Sequence, residues 1–288
     1  LTHRLPRARS RGARSSRGIF FYPRHGFGQI SEKLWEAAAA AGARTLLGTT
    51  VRRITAGLRG MEVEVEKGGA TRVLKADHLW STIPVGPLVG LLDPPPPSEV
   101  LRSARSLQQR ALLLVYLVLG QDRFTEFDAH YVPDPAIPFT RLSEPKNYGA
   151  RKEPADRTVL CAEIPCSPED AAWRHEPGEL GEMVQEGMRR AGLPVPGPLL
   201  EVVLRRLPSA YPIYRRGFET HLQRLEDWLE GIPGLLTFGR QGLFAHDNTH
   251  HALFMARAAV SCLNEDGHFK KERWAGFRRV FATHVVED

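Results

Sequence analysis

The stretch that most constrains the fold runs from Leu235 to Ala252. Leu235-Leu236-Thr237-Phe238 reads as an apolar strand ending in Gly239-Arg240-Gln241-Gly242, and Ala245-His246-Asp247-Asn248-Thr249-His250-His251-Ala252 then turns through polar residues into a helix. Glycines at a strand end let another backbone approach closely. The unpaired N–H groups and positive dipole end of the following helix suit an electron-rich ligand edge. Ala252, Ala256 and Ala259 put small side chains on one helix face, which permits close packing against a strand or a ligand. The same residues also fit a plain strand–turn–helix capped by Asn248, and both readings stand at this level.

Composition narrows the class. With 288 residues, 42% hydrophobic, 25% charged and 8% aromatic, the chain has material for one large domain or two modest ones, and disorder or collagen-like order is excluded. The longest strongly apolar run, Ala111 to Leu119, is about half of the roughly 20 residues a membrane-crossing helix needs, so no integral membrane segment is expected. Cys161, Cys166 and Cys262 are odd in number and form no CxxC pair, which fits neither a disulfide scaffold nor a zinc ribbon and points to a reducing, cytoplasmic setting. The formal charge of +6 is local: residues 1–30 carry seven arginines and no acid, leaving 32 basic against 33 acidic residues elsewhere. A near-neutral body argues against a nucleic-acid partner. The Arg/Ser-rich start fits a leader, a tail for anionic surfaces or a solvated loop of a longer protein, and the loop is the expectation.

Along the chain, Gly28 to Gly42 predicts a helix with Ser31 as its N-cap and Ile30, Leu34, Trp35 and Ala38 on one face. Arg44–Leu47, Val51–Ile54, Met61–Lys67 and Thr71–Ala76 predict strands, the last two a hairpin about Gly68-Gly69, and His78–Ile83 another. A short helix to Leu92 ends at Asp93-Pro94-Pro95-Pro96-Pro97. The middle section predicts strands at Leu107–Leu119, Thr158–Ile164 and Leu199–Leu207, a Pro-rich stretch from Pro133 to Pro145, and helices at Pro177–Ala191 and Phe218–Glu230. After Pro233 come strand Gly234–Gly239 and a helix from about Asn248 to Leu263. The expected fold class is therefore α/β with an inserted α+β section.

Three stretches resemble, in family order, the FAD-dependent amine oxidase and protoporphyrinogen oxidase superfamily, including its UDP-galactopyranose mutase-like branch. They are Phe21-Tyr22-Pro23-Arg24-His25-Gly26-Phe27-Gly28 through Val51-Arg52-Arg53-Ile54, Ala76-Asp77-His78-Leu79-Trp80-Ser81-Thr82-Ile83-Pro84, and Gly239-Arg240-Gln241-Gly242 with Asp247 to Ala252. The resemblance implies a Rossmann-like FAD-binding domain of glutathione-reductase type, split between 1–92 and 234–288, with a substrate-binding domain at 93–233. It implies that Val51 holds the adenine through its backbone and that Gly239 and Arg240 lie by the ribityl chain and diphosphate. Asn248, Thr249 and His250 would approach the isoalloxazine, whose reduced, anionic ring a helix start can stabilise, with Asp247 and His251 close by. The implied activity is hydride transfer from an organic small molecule to flavin. A mutase without net electron transfer and a non-catalytic remnant are the alternatives. The family's Gly-rich dinucleotide fingerprint is not among these residues: Gly26-Phe27-Gly28 lacks the third glycine and follows no strong strand. A missing N-terminal FAD-binding half is thus a candidate partner.

Other motifs compete. His246-Asp247-Asn248-Thr249-His250 is close to a zinc-binding HExxH string, but that motif belongs inside a helix and Asn248 reads as a cap, so no metal site is assigned. Arg205, Arg206, Tyr211, Tyr214, Arg215 and Arg216 cluster in sequence; of these, Arg206, Tyr211 and Tyr214 are candidates to hold an anionic substrate group. His25 and His78 read as surface or satisfied polar groups rather than catalysts. Neither a GxSxG elbow nor a P-loop occurs.

Overall fold

The computed structural model describes residues 22–57, 60–149 and 153–286. The arginine-rich start up to Phe21 lies outside the described residues. In chain order the elements are α1 (Gln29–Ala40), β1 (Thr50–Gly57), β2 (Gly60–Lys67), β3 (Ala70–Ala76), β4 (Leu79–Ser81), α2 (Val85–Gly90), β5 (Leu92–Asp93) and α3 (Ser98–Ser106). They continue with β6 (Gln108–Leu119), β7 (Ala129–Tyr131), β8 (Arg141–Ser143), β9 (Thr158–Cys166), α4 (Ala171–Arg174), α5 (Pro177–Arg190) and β10 (Leu199–Ile213). The last are α6 (Phe218–Glu230), β11 (Leu235–Thr237), α7 (Gly239–Gly242), α8 (Thr249–Ser261) and α9 (Lys271–Phe281).

A five-stranded antiparallel sheet, β10-β6-β9-β8-β7, carries the middle section. On β6 and β9 alternate residues point to opposite faces. Ala111, Leu113, Val115 and Leu117 join Leu160, Ala162 and Ile164 on the inner face, against Leu180, Val184 and Met188 of α5. β10 runs six residues past the predicted end at Leu207. Pro208 is absorbed where the register shifts between Leu207 and Tyr211, and β10 is an edge strand, where a missing N–H costs little.

The second sheet, β3-β2-β1-β5, pairs β1 with β5 in parallel. Its core of Ile54, Met61, Val65, Leu88 and Leu92 also takes in Val100 of α3 and Leu225 and Leu229 of α6. A third core gathers Phe238, Leu243, Met255, Ala259, Trp274 and Phe281 about α7, α8 and α9. Between these cores, β4 and β11 form a two-stranded parallel pair, Leu79 opposite Leu235 and Ser81 opposite Thr237. Some 150 residues of chain lie between two strands that hydrogen-bond side by side, which is how the insertion is mounted.

Several sequence expectations are corrected. Gly28, not Ser31, occupies the N-cap of α1, and Arg44–Leu47 is not a strand. β7 arises just before the Pro-rich stretch and β8 within it, and α3 and α9 arise where no helix was expected. The face of α1 remains open: none of its residues is buried, and Leu34 and Trp35 are 52% and 51% exposed. Among the described residues no helix is long and apolar enough to cross a membrane.

Candidate functional site

β11 delivers the chain to Gly239, whose φ of +78° only glycine adopts cheaply and whose N–H points to the Met255 sulfur at 3.2 Å. At Gly242 a Cβ would stand 3.1 Å from the Ser81 carbonyl, so the glycine lets α7 sit directly on β4. The strand–glycine–helix reading of this stretch holds, with one added helical turn, α7, where a polar turn was expected.

Arg240 is anchored within the protein. Its Nε and Nη2 donate to the Ala210 carbonyl at 3.3 and 3.1 Å, its Nη1 donates to the Asp247 carbonyl at 2.8 Å, and the guanidinium lies 4.8 Å from the Tyr211 ring centre. Gln241 donates to the Ser209 carbonyl at 2.8 Å. The Tyr214 hydroxyl accepts the His246 N–H at 2.8 Å and donates to the Phe244 carbonyl at 3.3 Å. These bonds hold the loop 244–247 to the end of β10, and Phe244 keeps a φ of +50° within it. Burial pushes the Tyr214 hydroxyl above its ordinary pKa.

At the start of α8, Asn248 and His251 form a reciprocal capping box, the Asn248 N–H donating to His251 Nδ1 at 3.2 Å. Thr249 and His250 are exposed on the first turn, and Asn248 is half-buried. Asp247 and His251 are turned inward and buried. Asp247 Oδ1 lies 3.2 Å from His251 Nδ1 and 3.5 Å from His284 Nδ1, and the His251 and His284 rings stack 4.2 Å apart. Burial, then the neighbouring His250 and His284, hold the His251 pKa below its ordinary value. The HDxxH string is not assembled: His246 packs edge-on to Tyr211 and His250 rests on the His251 ring. His284, isolated in sequence, completes the cluster instead.

Val51 lies on β1 opposite Val65, at a bulge where the ladder steps from Val51 to Arg53. Arg206 donates to the Trp173 and His175 carbonyls at 2.8 and 2.6 Å, which ties β10 to the α4 region. Its neighbour Arg205 belongs to the outer face of the five-stranded sheet, where its charge acts on Tyr116. Tyr116 stands opposite Cys161 on that face, and Glu163 pairs with Arg141, which lies over the Tyr131 ring. Burial works against the Arg141 charge, but hydrogen bonds to Glu163 and Tyr131 outweigh it and raise its pKa. Tyr148 adjoins this group and stacks on Tyr22 at 5.5 Å, bringing the Tyr-Pro loop before α1 to the sheet. Alternation along β6 and β9 was the signal for this face, but pairing them needed the register. His78 is satisfied by the Gly267 carbonyl at 2.7 Å, as expected of a lone histidine.

The mixed α/β architecture, with an antiparallel sheet mounted between parallel strands, is shared with solved structures. A reduced UDP-galactopyranose mutase superposes with a TM-score of 0.70 at 18% identity, over 83% of this chain and 50% of that one. A putative protoporphyrinogen oxidase from Exiguobacterium sp. 255-15 gives 0.54 at 21% identity, over 73% and 46%. A redesigned putrescine oxidase gives 0.51 at 16%, over 74% and 46%. The chain spans about half the length of these solved structures. No curated protein matches the sequence. The model of the flavin-containing amine oxidoreductases matches residues 4–261, and the chain belongs to that family. The family's cofactor is a flavin, in keeping with the FAD expected from the sequence.

Proposed function

We propose that this chain supplies the substrate-binding part and the closing strand–helix unit of an FAD-dependent oxidoreductase that takes hydride from an organic small molecule. One observation carries the reading: the β4–β11 parallel pair feeds a glycine turn into α8, whose first turn presents Thr249 and His250 outward at the positive end of a 13-residue helix. An electron-rich ring edge fits such an end. Asn248, Thr249 and His250 would hold that edge, and backbone at Val51 and Gly239 would meet the rest of FAD. Arg240 acts by fixing the 244–247 loop rather than by offering a free charge. Bound there, the flavin supplies a two-electron acceptor. The outer sheet face, with Arg205, Tyr116 and Arg141, is the surface for the substrate, in place of the inward Arg206 and the loop-binding Tyr214.

The cofactor part is assigned to 1–92 and 234–288 and the substrate part to 93–233, with α3 and α6 packing back onto the former. The proposed partner is a dinucleotide-binding half carrying the Gly-rich fingerprint. Two features support it: α1 with its open apolar face, and a parallel sheet of two strands, fewer than stand alone and of a type normally covered on both faces. A mutase-like reaction without net electron transfer is the second reading, favoured by the more extensive superposition on the UDP-galactopyranose mutase.

The test is the visible spectrum of the purified chain, as isolated and after FAD addition and desalting. Retained flavin bands support a working site in this chain; a colourless chain that gains bands only with a fingerprint-bearing half supports the partnership, and one that never does marks a non-catalytic remnant. With flavin bound, electron stoichiometry separates oxidase from mutase. Arg240→Ala is expected to speed flavin release, and release at the parental rate would remove Arg240 from the site.

A further inference from the structure

We infer that Asp247, His251 and His284 form a binding site for a divalent transition metal ion of the zinc and cobalt class. One ligand atom from each falls within 4.8 Å of the others, and Asp247 Oδ1 is 3.2 and 3.5 Å from the two imidazole Nδ1 atoms. In a tetrahedral site with bonds of roughly 2.0–2.1 Å, neighbouring donors stand roughly 3.3–3.5 Å apart. The donor set of two imidazoles and one carboxylate suits a borderline ion and leaves a fourth position open.

The second observation is unmet polarity. Asp247 is 5% exposed, yet its Oδ2 has no hydrogen-bond partner, and the buried Nδ1 of His284 has none either. Buried polar atoms rarely stay unpaired. His251 Nδ1 lies 3.2 Å from the carboxylate and accepts the Asn248 N–H, a bond that its single lone pair gives up when it ligates an ion. A cation placed among these atoms would satisfy them together. A single proton serves one pair of atoms, whereas one metal ion serves all three.

An ion must lie in the plane of each imidazole it binds. The His251 and His284 rings are only 14° from parallel, so loading the site tilts them out of their stack. His251 sits on the first turn of α8, whereas His284 follows the end of α9 and is the ring placed to move. The bound ion therefore pins the segment after α9 to the start of α8.

The experiment uses the full, untagged chain stripped with a chelator and titrated with Co²⁺, read by visible ligand-field absorption and calorimetry. One equivalent is expected, displaced by Zn²⁺. At an excess near 100 times Kd the expected rise in Tm is roughly 5 °C. His284→Ala and Asp247→Asn should each weaken binding by at least about 100-fold, whereas His246→Ala and His250→Ala should not. His284→Cys, which keeps a ligand at that position, should retain the ion and add a thiolate-to-cobalt band. Absence of saturable binding, undiminished binding in His284→Ala, or equal loss in His250→Ala overturns the assignment. None of these readouts depends on flavin, so the proposal stands or falls apart from the oxidoreductase reading.

Discussion

Replacing Glu144 with Gln tests how the Phe124–Thr125 segment is held against the start of β9. Glu144 is 2% exposed and accepts four hydrogen bonds. The Phe124 N–H at 2.9 Å and the Thr158 hydroxyl at 2.6 Å reach Oε1; the Thr125 N–H at 3.1 Å and Asn147 Nδ2 at 3.0 Å reach Oε2. An amide has one acceptor oxygen where the carboxylate has two. The least costly arrangement puts the new NH₂ at the Oε1 position, where the Thr158 hydroxyl can reverse and accept. The Phe124 N–H then has no acceptor, at a cost of about 1–3 kcal/mol, and the remaining bonds lose their ionic character. Relief of the buried charge offsets part of this, so Glu144→Gln should cost about 3 kcal/mol. For a chain of this size that lowers Tm by roughly 6–10 °C. Glu144→Ala, which strands four donors, should cost more. Urea unfolding with an unchanged m-value measures both. A Glu144→Gln protein within about 1 kcal/mol of the parent, or more stable than it, would refute the four-donor account.

Three further outcomes are expected. Gly234 has a φ of +80° and a Cβ there would lie 2.8 Å from the Asp77 carbonyl, whereas Gly267 at +82° has open space; Gly234→Ala should cost about 2 kcal/mol or more and Gly267→Ala about 1, and equal losses in thermal melts would remove the steric part of the argument. Burial, then the nearby Glu163, push the Cys161 thiol up to about 11 from 9.0, so at pH 8 its iodoacetamide alkylation should run roughly 100-fold below a free thiol and still be climbing at pH 10; a rate plateau below pH 9 in the folded protein contradicts this. Leu34 is half exposed on α1, so Leu34→Gln should change unfolding free energy by less than about 1 kcal/mol while lowering binding of a hydrophobic dye, and a larger loss would mean the face is covered.

The legible parts of the fold were those decided by local pattern. The alternation of Met61 to Lys67 gave β2 within one residue at its start, and α6 fell on the predicted Phe218–Glu230. Strands β7, just before the Pro-rich stretch, and β8, within it, were hidden, because each is three residues long and is made a strand only by the ladder it joins at the β9 edge of the sheet. Ser31 looked like a cap by residue type, but the bend at Pro23 to Gly26 starts the helix a turn earlier, through the Gln29 N–H to the Gly26 carbonyl at 3.1 Å.

The site was legible where the backbone defines it and illegible where side chains choose between faces. Gly239, Asn248 and Thr249 sit where strand-end and helix-start logic puts them, because those positions follow from chain direction alone. Arg205 and Arg206 are equivalent in sequence, yet alternation sends one to the outer face and the other to the carbonyls of Trp173 and His175. One residue of register decides which arginine reaches the outer face, and that register is fixed by pairing Arg205 with Leu114 on β6. The same strand also reaches the turn after β11: within its bulge, the carbonyls of Ser209 and Ala210 hold Gln241 and Arg240. A change that slips β10 on β6 therefore turns Arg205 away from the sheet face and loosens the loop that sets the start of α8.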